Sequence, residues 1–203
     1  MRSFLRFFFR LLYHPFAFAY DLVAATVSFG RWKDWIVEVV PFIAGTRVLE
    51  IGHGPGHLQR ILLSRNLVAV GLDESPQMGR LAKRNTDGFA VLTRGLAQHL
   101  PFCDESFDTI IATFPAEYIA DSLTLSEVKR CLCNGGRFVV LPAALPKNPF
   151  LAWLFRVTNQ APSDAMKIIQ QKLEEPFIQS EFDVETHVLD LESGRLIVII
   201  AKI

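Results

Sequence analysis

The feature that most limits what this chain can fold into is the alternation of strand and helix patterns from residue 47 onward. Short apolar runs alternate with helix-period stretches, the pattern of a parallel sheet covered by helices on both faces. The spacing predicts strands at Arg47–Ile51, Leu67–Leu72, Phe89–Thr93, Phe107–Phe114 and Arg137–Leu141. Helices are expected at His57–Ser64, Pro76–Arg84 and Leu123–Cys131, the last with a Lys/Arg-rich end stopped by Asn134-Gly135-Gly136. Residues 142–165 hold Pro142, Pro146, Pro149 and Pro162 around the apolar stretch Phe150–Phe155, and read as a loop and lid. Val184–Leu189 and Leu196–Ala201, joined around Ser193-Gly194, read as a closing hairpin. A chain of 203 residues suits one compact domain with a short appendage. The division expected is an amphipathic helix and helical lid over residues 1–44, then an α/β domain over residues 45–203.

Charge and cysteine usage narrow the function classes. Twenty-one basic and 21 acidic residues balance, so no basic excess points to nucleic acid. Half of the residues are hydrophobic, which excludes disorder. Cys103, Cys131 and Cys133 form neither a disulfide framework nor a zinc site, and read as free thiols in a reducing cytosol; no metal is expected. No apolar run reaches the roughly 18–20 residues of a membrane span. Nor does the opening stretch read as a signal peptide, because Arg6 and Arg10 interrupt it and no small-residue cleavage site follows. As a helix, residues 2–14 place Arg2, Arg6, Arg10 and His14 on one face, with Phe4, Leu5, Phe7, Phe8, Leu11 and Leu12 around the rest. Such a helix suits a membrane interface. It equally suits packing over the protein's own cleft, because periodicity does not separate lipid from a protein groove.

The segment that points to chemistry is Val48-Leu49-Glu50-Ile51-Gly52-His53-Gly54-Pro55-Gly56-His57, a strand running through a glycine turn into a helix. Glycines let the backbone turn sharply and let a ligand approach without meeting a Cβ. A dinucleotide site needs G-x-G-x-x-G to set a pyrophosphate on the helix. Gly52, Gly54 and Gly56 have a different spacing, with an acid at Glu50, and imply a ligand carrying an amino-acid moiety. This spacing argues against a nucleotide-dependent oxidoreductase. Asp73 closes the second strand, where a carboxylate accepts both hydroxyls of a ribose; the other reading of Asp73 is a helix cap.

These residues resemble the class I S-adenosylmethionine-dependent methyltransferases, over nearly the whole chain. Glu50-x-Gly52-x-Gly54-x-Gly56 matches the first motif, and Asp73-Glu74-Ser75 followed by Met78 matches the second. Leu100-Pro101-Phe102-x-Asp104-x-Ser106-Phe107-Asp108 matches the loop and fourth strand. Glu127-x-x-Arg130-x-Leu132-x-x-Gly135-Gly136 matches the helix and turn before the fifth strand. The resemblance implies a Rossmann-like seven-stranded sheet of order 3-2-1-4-5-7-6 with strand 7 antiparallel. It also implies S-adenosyl-L-methionine as cofactor. Asp73 would hold the ribose, Gly52–Gly56 with His53 the methionine part, and Gly95-Leu96-Ala97 the adenine. Thr113, at the end of the fourth strand, is counted with the cofactor residues. Members usually carry an acid where Leu96 stands, so weaker cofactor binding is expected here.

Tyr20-Asp21, Ser28-Phe29-Gly30 and Trp35 are similar to the opening of the ubiquinone/menaquinone C-methyltransferases, which act on long-tailed quinols. The match lapses at Ala24, where an Asn is expected. It lapses again at Glu117-Tyr118, where an Arg-Asn pair is expected. The acceptor implied is a lipophilic small molecule, quinol-like or lipid. Transfer to a lipid headgroup amine or another metabolite, or a non-catalytic cofactor-binding role, are the alternatives. A quinol or phenol acceptor needs its hydroxyl deprotonated. Glu117 and Tyr118 follow the fourth strand's C-terminal end, where open α/β sheets bind ligands, and His57 flanks the turn. These three are the catalytic candidates. For Tyr118 a cleft-wall aromatic, and for His57 a first-turn helix residue, are the plainer readings. Tyr20 is expected to close over the cofactor. The protein is expected in the cytoplasm, with a membrane surface reachable through residues 1–14.

Overall fold

The computed structural model describes residues 31–146 and 162–203; side chains are described for residues 31–144 and 170–203. The expectations for residues 1–14, Tyr20-Asp21 and Phe150–Phe155 lie outside the described residues. Seven strands form one sheet: β1 Arg47–Ile51, β2 Val68–Asp73, β3 Val91–Arg94, β4 Phe107–Thr113, β5 Leu132–Pro146, β6 Asp183–Asp190 and β7 Gly194–Lys202. Their order is β3-β2-β1-β4-β5-β7-β6. The β1–β2, β2–β3, β1–β4 and β4–β5 pairs are parallel, and β7 is antiparallel to both β5 and β6. The helices are α1 Trp32–Val37, α2 His57–Ser64, α3 Pro76–Asn85, α4 Ser122–Cys131 and α5 Pro162–Gln179, with 3-10 turns at Val40–Phe42 and Glu117–Ala120.

Period-two alternation divides the core between the two faces of the sheet. Leu49, Ile51, Leu72, Ile110, Phe138 and Val140 face one side, with Val128 and Phe177 from α4 and α5. Val48, Ala69, Ile111, Val139 and Leu141 face the other, with Trp32, Trp35, Leu58 and Leu62 from α1 and α2. The segment before β1 is therefore part of this second core, and Trp35 Nε1 donates to Ser193 Oγ at 2.9 Å, tying α1 to the β6–β7 turn.

Three expectations need correction. Asn134-Gly135-Gly136 does not stop α4, which ends at Cys131; the chain turns extended at Leu132. The three residues instead make a bulge within β5, where the register slips between Phe107↔Leu132 and Thr109↔Arg137 and Gly135 takes φ +74°. β5 also continues through Pro142 to Pro146, because Leu141 and Pro142 fall at a second register shift, where no ladder donor is needed. Residues from Pro162 onward are helix, not loop.

At the N-terminal end of β1, Asp108 latches β4 to the entering chain. Its Oδ2 accepts from Thr46 N and Arg47 N, both at 2.9 Å, and its Oδ1 accepts from Arg47 Nη2 at 2.6 Å. These donors, the Arg47 guanidinium first, hold the Asp108 carboxyl far below the usual carboxylate range. Gly45, at φ +70°, lets the chain lie against this side chain, which a Cβ there would strike. Asp108→Ala is expected to cost about 2 kcal/mol at pH 7. Because the folded carboxyl is depressed, its contribution is complete above the ordinary carboxylate pKa of about 3.9 and is lost as pH falls below it. Urea titrations at pH 7 and pH 3 check this: the gap between wild type and variant should narrow in acid.

Candidate cofactor site

The chain turns at the C-terminal end of β1, through three glycines with left-handed φ: Gly52 at +74°, Gly54 at +50° and Gly56 at +81°. Each has a different reason. A methyl group on Gly52 would sit 2.6 Å from Tyr118 Oη, and one on Gly56 2.8 Å from Ala82 Cβ of α3. Around Gly54 no described residue lies within 4 Å of that position, so among the described residues the turn presents bare backbone. Gly52 N and His53 N donate to the Leu72 carbonyl at 2.7 and 3.3 Å, fastening the turn to β2.

Asp73, the last residue of β2, closes over the turn. Its Oδ2 accepts from Gly54 N at 2.9 Å and its Oδ1 from Ser75 N at 2.8 Å. A carboxylate has about four acceptor positions, so capacity remains for a ligand's hydroxyls. Ser75 caps α3, its Oγ accepting from Met78 N at 3.3 Å, and both residues are buried. Glu74 is exposed, and its carbonyl accepts from Arg94 Nε at 3.0 Å. Beyond β3, Leu96 is half-exposed and Ala97 buried.

Beneath the turn, Glu50 is buried, with its Oε2 accepting from Gln59 Nε2 at 2.8 Å. Burial pushes its pKa up to about 8, against the lowering effect of the Gln59 amide. Gln59 Oε1 is buried with no hydrogen-bond partner among the described residues. His53 is also buried, its Nδ1 donating to the Gly54 carbonyl at 2.7 Å; burial lowers its pKa while the Asp73 charge opposes the shift. His57 opens α2 and meets Trp32 edge-on, with ring centroids 5.1 Å apart.

Between these groups runs a narrow cleft walled by Trp32, Ile36, Glu50, Gly52, His57, Thr113 and Phe114. It has about 20 Å³ of room, near the space of a single water. Thr113 ends β4, one residue before the expected end at Phe114. Phe114 follows at φ +48°, a region that bulky residues seldom adopt, with its N–H donating to the Leu141 carbonyl at 2.8 Å. Of the catalytic candidates, Tyr118 reaches Gly52 from the 3-10 turn and packs against the core, whereas Glu117 is exposed. Tyr20 lies outside the described residues. Sequence reasoning missed Gln59, Trp32 and Phe114. Gln59 alone carried a signal, as a polar residue beside the Leu58/Leu62 stripe of α2.

Residues 49–140 match the methyltransferase domain family. The chain is 33% identical over 150 residues to a demethylmenaquinone methyltransferase of Thermus thermophilus, covering 70% of this chain and 68% of that one. It belongs to the S-adenosylmethionine-dependent methyltransferase family. A demethylmenaquinone methyltransferase of Thermotoga maritima is 35% identical over 144 residues, or 68% of this chain, and the match spans 62% of that relative's length. A SAM-dependent methyltransferase structure from Methanosarcina mazei superposes with a TM-score of 0.61 at 20% identity, covering 81% of this chain and 96% of that one. That likeness shows the shared fold. The residues at the turn fit the family's cofactor: two acidic residues, Asp73 against Gly54 and Glu50 beneath the turn, suit a ligand with a cationic amino-acid end and a ribose diol.

Proposed function

We infer that this chain is a methyltransferase that moves a methyl group from S-adenosyl-L-methionine to a lipophilic small molecule. The observation that carries this reading is the Asp73 carboxylate locked across Gly54 at the open end of β1 and β2, with Glu50 beneath. In this reading Asp73, at the end of β2, receives the ribose. The turn Gly52–Gly56 with His53 and Glu50 receives the amino-acid end, Leu96 and Ala97 lie against the adenine, and Thr113 lines the path between. Glu74, Ser75 and Met78 act by shaping the loop after Asp73. Tyr20 closes over the site from the segment before Arg31, and Trp32, Trp35 and Ile36 join that segment to the core of the domain.

The cofactor supplies an electrophilic sulfonium methyl, so the protein has to align an acceptor and exclude water. In this reading Tyr118, whose hydroxyl lies beside Gly52, orients an acceptor hydroxyl. Glu117, exposed one residue earlier, and His57, edge-on to Trp32, are the remaining candidates for holding the acceptor's proton. The names of the curated relatives support a lipophilic acceptor. Residues 1–14 would bring the cytoplasmic protein to a membrane surface or cap the cleft.

Calorimetry with S-adenosylmethionine, S-adenosylhomocysteine and NAD tests the cofactor, and a labelled-methyl screen against lipid extracts tests the acceptor. Binding of the first two ligands without NAD is expected. NAD binding without adenosylhomocysteine binding would overturn the reading. Leu96→Asp should restore an acceptor for the adenine amino group and tighten adenosylhomocysteine binding roughly two- to tenfold; equal dissociation constants would remove Leu96 from the adenine side.

A further inference from the structure

The corner of the sheet at the N-terminal ends of β2 and β3, at the opposite end of these strands from the cofactor turn, carries a surface that the methyltransfer reading does not use. Phe89, Val68 and Val91 are exposed at 78%, 63% and 60%. Topology puts them together. Val68 opens β2, Val91 opens β3, and Phe89 emerges two residues earlier from the turn at Gly88, whose φ is +80°. Val91 pairs in register with Val70, which shares a sheet face with Val68. Among the described residues no helix covers that face at this edge, because the chain from Arg94 to Phe107 crosses to β4 without one.

The helices bring positive charge to the same end. α2 and α3 run back against their strands, so Arg65, Lys83 and Arg84 finish beside the starts of β2 and β3. All three are exposed, and none forms an ion pair among the described residues. Between Pro76 and Arg94 the chain has four basic residues and a single acid, Asp87. Arg65 stands three residues before Val68, and Arg84 and Lys83 five and six residues before Phe89, so cations flank the apolar residues along the chain at this end of the sheet.

We propose that this corner docks on an anionic lipid surface, through Phe89, Val68 and Val91 with Arg65, Lys83 and Arg84 around them. An exposed Phe on a turn enters the headgroup boundary without needing a groove, while the flanking cations meet lipid phosphates. A second copy of the chain is a poor occupant. A two-fold contact centred on this patch would bring two surfaces of the same positive sign together. The docking does not rest on the acceptor's identity, and it is separate from any contact made by residues 1–14.

Co-sedimentation of the full chain with vesicles of phosphatidylcholine, with and without phosphatidylglycerol, tests the proposal. Phe89→Ser should weaken binding to the anionic vesicles by roughly tenfold or more, from the lost burial of one aromatic side chain. The double variant Lys83→Glu/Arg84→Glu should weaken it at least roughly tenfold and remove the preference for phosphatidylglycerol. Both substitutions are on exposed side chains, so adenosylhomocysteine affinity should stay at the wild-type value and report an intact fold. Wild-type partition of both variants would overturn the proposal and leave vesicle binding to residues 1–14. A wild-type chain that ignores anionic vesicles would also overturn it. So would one that forms a dimer, by light scattering, which Phe89→Ser dissolves; that result would assign the patch to a second copy.

Discussion

Alanine at position 73 is expected to weaken adenosylhomocysteine binding by about 1.5–3 kcal/mol, roughly ten- to 150-fold. The carboxylate has two jobs that the substitution removes together. It accepts the backbone N–H groups of Gly54 and Ser75, which fixes the two loops bordering the site. Its remaining lone pairs face the place where ribose hydroxyls would come. Asp73→Asn separates the jobs, because the amide keeps one acceptor oxygen but turns an N–H₂ toward the other backbone donor. Its loss should be intermediate if loop order dominates, and close to that of alanine if the charge on the ribose side dominates. Calorimetric titration of both variants, with thermal melts to follow the fold, reads the outcome. An unchanged dissociation constant for Asp73→Ala would take this carboxylate out of the ligand site.

The site was legible in the sequence wherever backbone geometry demanded a particular residue. Gly52 and Gly56 hold left-handed φ at places where a Cβ would strike Tyr118 or Ala82, so their spacing carried the turn. Asp73 was found because strand β2 had to end there, and the sheet order came with the family resemblance. What stayed hidden had local signals that pointed elsewhere. Pro142 and Pro146 read as loop, yet a bulge in β5 accommodates Pro142 and the strand ends on Pro146. Pro162 read as loop in the same way, yet it starts α5. Phe114 has no sequence signature for its φ of +48°, since nothing about phenylalanine announces a left-handed residue. Trp32 reaches the cleft from outside the α/β repeat, through packing that no periodicity encodes.

Cofactor binding should release a proton near neutral pH, and Glu50 is the group expected to lose it. The carboxyl sits under the turn with Gln59 Nε2 as its hydrogen-bond donor, and burial pushes its pKa up to about 8. At pH 7 it is therefore mostly neutral. A ligand bearing an ammonium beside it favours the ionised form, so affinity should rise as pH climbs from 7 to 9. His53 and Asp73 border the same turn, but the His53 pKa is lowered by burial, away from this window. Titrations at pH 7 in two buffers of different ionisation enthalpy measure the protons released; wild type should give a substantial fraction of one and Glu50→Gln none. Stability runs the other way. A carboxyl raised in the folded state contributes fully below its unfolded pKa of about 4.3, and the contribution fades as pH rises to about 8. Wild type should therefore lose stability across that window. Glu50→Gln, with no buried acid to ionise, should stay level and exceed wild type above pH 8 while binding cofactor more weakly. Such a trade marks a residue kept for its ligand at a cost to the fold. Equal proton release by wild type and Glu50→Gln, with parallel stability curves, would show that Glu50 is neither buried neutral nor in touch with the cofactor.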